Sequence, residues 1–137
     1  MTAKEFLSQA FLLNRQIRLD TLRLEAMRSA LYGRSAGFGS DGSGRSLSGD
    51  NRTENAIAKT LDFEDRLNAE IDKLVDKKLE IDRAISAVPD AVQREVLTRR
   101  YLLFQKWERI AEEMQMDLRW IFRIHSKALN QLTIESH

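Results

Sequence analysis

The chain contains no cysteine. That excludes disulfides, thiolate metal ligands and cysteine nucleophiles, and a disulfide-free chain fits the cytoplasm. Its two histidines, His125 and His137, have no ligand-type spacing, so no metal site is expected. No apolar run approaches the roughly 20 residues that a membrane span needs. The N-terminal stretch MTAKEFLSQAFLLNRQIRLD breaks its apolar run at Asn14 and Arg15, so no signal peptide is expected either. Neither sign of charge dominates. With 22 basic and 21 acidic side chains the net charge is +1, so bulk charge does not point to a polyanionic partner.

Proline and glycine are sparse and placed as punctuation. The only proline is Pro89, and all six glycines lie between Gly33 and Gly49. The sequence as a whole is 42% apolar and 31% charged, the balance of a folded protein with a strongly charged surface. Two segments repeat apolar residues at helical spacing. In Thr2 to Tyr32 these are Phe6, Ala10, Leu13, Ile17, Leu24, Met27 and Leu31, with a gap near Asp20. In Thr53 to Val88 they are Ile57, Leu67, Ile71, Leu74, Ile81, Ile85 and Val88. Leu61, Val75 and Leu79 widen the second stripe, Glu64 and Lys78 interrupt it, and Thr53 is expected to cap its helix. Neither helix can bury its seam alone. The expected fold is therefore all-α, beginning with a coiled-coil-like antiparallel hairpin over residues 1–88 and a flexible Gly/Ser-rich loop at 33–52.

The loop contains GFGSDG, Gly37 to Gly42, which matches the G-x-G-x-x-G pattern of dinucleotide-binding proteins. That chemistry needs a strand before the first glycine and a helix opening at the third, so that amide groups cradle the pyrophosphate. Here a helical pattern precedes the glycines and further loop residues follow them, so the match is read as a linker and no cofactor is expected.

Residues 89–137 carry the most information. Pro89 and Asp90 suit the start of a helix with Val92, Val96, Leu97, Leu102 and Leu103 on its apolar face. A short helix follows from about Lys106 to Met114, and another from the cap residue Asp117 to about Thr133. Ile110, Ala111, Met114, Met116, Ile121, Ile124, Ala128 and Leu132 have the spacing of a helix-turn-helix. That arrangement turns Leu118, Arg119, Phe122, Arg123 and Ser126 outward, with Lys127 at the edge, where such a motif meets the DNA major groove. Arginine can pair with guanine through two hydrogen bonds, and Phe122 can meet a thymine methyl group. Arg99, Arg100, Lys106 and Arg109 lie just upstream, placed to neutralise phosphates.

The segment REVLTRRYLLFQKWERIAEEMQMDLRWIFRIHSKALNQL resembles region 4 of bacterial sigma factors, the module that reads the promoter −35 element. The likeness lies in the Arg100-Tyr101 pair, then W-E-x-I-A-E-E-M, then I-x-x-I-x-x-K-A-L-x-x-L, and covers about a third of the chain. The whole chain resembles small phage and prophage proteins, some of them similar to late-transcription regulators. The resemblance implies duplex DNA as a partner, with RNA polymerase or a sigma factor as a further one, in a bacterial host cell. Gln115 stands where the family's turn usually has glycine. Leu118 and Phe122 stand where its recognition helices are commonly polar. Nothing here is similar to the sigma region that melts the −10 element.

Other assignments fit the same residues. The spacing also suits a plain three-helix bundle. Trp107 and Trp120 read as core or partly buried, and Phe122 suits a protein interface as well as DNA. The acidic run from Asp62 to Asp82 reads as the solvated face of a coiled coil, with Lys73, Lys77 and Lys78 as counter-charges, and no catalytic set is evident, so no enzyme is expected. A two-fold DNA reader predicts a homo-oligomer, first of all a dimer. The alternatives are a small-terminase-like packaging protein, or a modulator of RNA polymerase or sigma that leaves DNA alone.

Overall fold

A computed structural model describes the backbone of residues 1–37 and 46–132, and the side chains of 1–32 and 52–132. It is all-helical: α1 Ala3–Gly37, α2 Ser46–Ser86, α3 Ala91–Tyr101, α4 Trp107–Met114 and α5 Leu118–Gln131, with no strand among the described residues. The segment expected as loop is shorter at both ends. α1 continues through Gly33 to Gly37, and α2 begins at Ser46, so Thr53 lies inside a helix and is not its cap. Elongating a formed helix adds one hydrogen bond per residue, which recruits flanking serines even where glycine costs about 1 kcal/mol. Apart from Gly37, the GFGSDG stretch lies outside the described residues.

The chain divides into two compact units, Met1–Asn14 with Lys73–His137, and Arg15–Asp72. In the second, Ile17, Asp20 and Leu24 of α1 and Thr60, Phe63 and Leu67 of α2 are buried. Asp20 of α1 hydrogen-bonds with Glu70 of α2 and Arg28 pairs with Glu64, so these segments run antiparallel, and Arg23 lies 4.8 Å over the Phe63 ring. The seam differs from the one expected. It passes through Thr60 and Phe63, which keep the alternating three- and four-residue steps with Leu67, and leaves Ile57, Leu61 and Ile71 exposed. The gap at Asp20 is filled by the carboxylate itself, only 2% exposed. A hydrogen bond with Glu70, then those from Gln16 at 3.1 Å and Arg23 at 3.2 Å, hold Asp20 below its ordinary pKa against the upward push of burial.

In the first unit, α5 packs on α3 and α4 around Val96, Ile110, Ile121 and Ile124, with Trp107, Ala111, Met114 and Met116 against them. Each such aliphatic side chain contributes roughly 1.5–3 kcal/mol by leaving water. Asp90 caps α3, accepting from the Val92 and Gln93 amides at 2.8 and 3.0 Å, so Pro89 lies before the cap and not in the first turn. Asp117 holds the cap position of α5 but makes no side-chain cap hydrogen bond.

The α4–α5 turn is closed by Gln115 in the left-handed region at φ 54°, ψ 47°, and by the Met116 amide donating to Ala111 at 2.9 Å. This is the helix ending that glycine usually supplies. A side chain there is strained, so Gln115→Gly is expected to raise stability by about 0.5–1 kcal/mol, measured by urea unfolding. A loss would show that the Gln115 side chain holds the turn.

Candidate nucleic-acid interface

α5 divides cleanly by burial. Ile121, Ile124, His125 and Ala128 face the core, while Arg119, Trp120, Phe122, Arg123, Ser126 and Lys127 are exposed and Leu118 is half-buried. Arg119 and Arg123 are one helical turn apart and so share a face. Among the described residues, Arg119, Arg123, Lys127 and Lys106 form no ion pair. Among the described residues no carboxylate neutralises their charge. Arg123 lies 5.9 Å over the Trp120 ring, a cation–aromatic contact on the exposed face.

The two aromatic residues on this face are both exposed. Trp120 is 49% exposed, against the expectation of a core or partly buried ring. It sits beside inward-facing Ile121, about 100° around the helix, where none of the described elements covers it fully. Phe122 is 43% exposed and also meets the Trp107 ring edge to face, centroids 5.3 Å apart. One side of its ring supports the α4–α5 junction and the other is open.

The upstream cations fall into two groups. Lys106 and Arg109 are exposed, and Arg109 pairs with Glu113 at 2.8 Å. Arg99 and Arg100 are half-buried and committed to the fold. Arg99 pairs with Glu95 at 2.8 Å and with Glu113, and its pKa is raised first by the Glu95 hydrogen bond. Glu113 is held below its ordinary range by Arg109 above all, helped by Gln105. This network ties α3, the α3–α4 connection and α4 together. Arg100 donates to the Gln105 carbonyl at 3.0 Å and stacks 4.6 Å over Trp107. Thus Arg119, Arg123, Ser126 and Lys127 come together on one helix face, whereas Arg99 and Arg100 hold the start of α4 in place.

A buried pair escaped the periodicity argument. Tyr101 of α3 and His125 of α5 share a hydrogen bond of 2.6 Å and stack with ring centroids 5.7 Å apart. Trp107 closes on the same imidazole at 4.7 Å. Burial, then the positive charges of Lys4 and Arg100, push His125 down to about 4, and burial raises Tyr101. The pair is neutral at pH 7 and fixes the rotation of α5 against α3. The one clue in the sequence is that His125 falls between Ile124 and Ala128, on the inward side.

No group of acidic, histidine or cysteine side chains that could hold a metal ion occurs among the described residues. None of the described helices is long and apolar enough to cross a membrane. No family model, curated protein or solved structure matches the chain. The likeness to sigma region 4 therefore rests on the residues that carry it.

Proposed function

We propose that the chain is a DNA-binding protein of the transcription-regulator class, in a phage or prophage setting, which reads duplex DNA with α5. The observation that carries this is the exposed face of Arg119, Arg123, Ser126 and Lys127, unneutralised among the described residues, on a helix whose other face is locked by Ile121, Ile124 and His125. Arg119 and Arg123 would meet base edges or phosphates in the major groove, and Lys106 and Arg109 the flanking backbone. The exposed Ile57, Leu61 and Ile71 of α2 suit self-association, with a dimer as the expected state.

Selection from a random duplex pool, with affinity followed against salt, tests the reading. An enriched motif with a steep salt slope is the expected result. Absence of both enrichment and salt-dependent binding overturns it. A second reading draws on the exposed Trp120 and Phe122, since aromatic residues are enriched at protein interfaces. In it the same face meets RNA polymerase or a sigma factor, and binding survives without DNA.

A further inference from the structure

A cleft of about 90 Å³ opens within the first unit, lined by Lys4, Ser8 and Phe11 of α1, Arg100 and Tyr101 of α3, and Trp107 of α4. Its lining holds two cations, two hydroxyl groups and three aromatic rings, and no carboxylate. Lys4 is exposed and forms no ion pair among the described residues. Arg100 commits one N–H to the Gln105 carbonyl, at 3.0 Å, and lays its plane on Trp107. A guanidinium has five donors, so most stay available. Two cations beside aromatic rings, without a carboxylate in the lining, form a site of positive potential.

Size limits the occupant. Drug-sized or nucleotide ligands need pockets of roughly 300–1,000 Å³, so this cleft admits a group of a few heavy atoms. We propose that it binds one compact tetrahedral oxyanion of the phosphate class, held by the Lys4 ammonium and the Arg100 guanidinium, with the Ser8 hydroxyl as a further donor. The proposal stands apart from the α5 reading, because none of the six residues lies on α5.

The test uses the full chain carrying Trp120→Phe, which leaves Trp107 as the single tryptophan. Inorganic phosphate is titrated against sodium chloride of matched ionic strength, following Trp107 emission and the amide resonances of Ser8 and Tyr101. A saturable, phosphate-specific change is expected. Lys4→Gln, at an exposed position, should weaken it about fivefold, the upper range for one exposed ion pair, and Arg100→Lys should weaken it further by removing the planar donor fork. The proposal is overturned if neither readout saturates beyond the chloride control, or if Lys4→Gln leaves the midpoint unchanged. Added duplex DNA then separates the sources. Displacement of phosphate identifies a backbone phosphate as the natural occupant, and coexistence identifies a free or ligand-borne oxyanion, both of which uphold the site.

Discussion

The double variant Arg119→Glu/Arg123→Glu is expected to lose specific duplex binding while keeping its helical content. Both side chains are exposed and form no ion pair among the described residues, so their removal breaks nothing in the core. If each arginine makes a bidentate contact with guanine, each is worth roughly 1–3 kcal/mol of discrimination. Losing both weakens specific binding by about 30-fold to 10⁴-fold, before counting the repulsion of two new carboxylates by phosphate. If they meet phosphates instead, the slope of log affinity against log salt should shrink by about 2, near 0.9 for each lost contact. Electrophoretic or fluorescence titration over a salt series separates the two contributions. Arg99→Gln is the contrasting control. Its cation is held by Glu95 and Glu113, so it should lower the urea midpoint and leave the salt slope alone. Unchanged DNA binding in the double variant would remove α5 from the interface. Loss of DNA binding with polymerase binding intact would assign two separate faces.

What could be seen in the sequence divides along physical lines. Helix existence was legible because Ile121, Ile124 and Ala128 keep a 3.6-residue period, and that period is what burial against α3 and α4 demands. The outward set of α5 followed by subtraction. Three features were not legible. The seam through Thr60 and Phe63 competes with an equally apolar stripe at Ile57, Leu61 and Ile71 about 100° away, and only the partner helix decides which is covered. Arg99 reads as a phosphate ligand in the sequence because Glu113 is fourteen residues distant, and the pair exists only once α3 and α4 are packed. The exposure of Trp120 depends on which elements pack beside α5, which no local pattern reports. The chain ends of the glycine-rich segment differ for another reason: helix elongation depends on what has already nucleated, not on each residue's own preference.

The largest pH effect on stability is expected from His125. In the folded chain its pKa lies at about 4, below the ordinary 6.5 that the unfolded chain presents. The unfolded state therefore takes up the proton first as pH falls. The contribution is fully present above pH 6.5, declines below it, and is gone below about pH 4. Between pH 7 and pH 5 this amounts to about 2 kcal/mol, readable as a falling urea midpoint. His125→Gln keeps a polar partner for the Tyr101 hydroxyl and cannot titrate, so its midpoint should be nearly flat over that interval. Asp20 contributes with the opposite chemistry in a lower window. Its folded pKa is depressed below 3.8, so its stabilisation is present above that value and is lost only as pH falls through the folded pKa. The two windows do not overlap, which lets one titration assign both groups. An identical slope between pH 7 and 5 in the wild type and His125→Gln would show that the imidazole is not held neutral. Since the Tyr101–His125 pair sets the rotation of α5, the same protonation should weaken duplex binding in parallel with stability. A variant with flat stability and undiminished pH-dependence of binding would separate the two and place the titrating group on the exposed face.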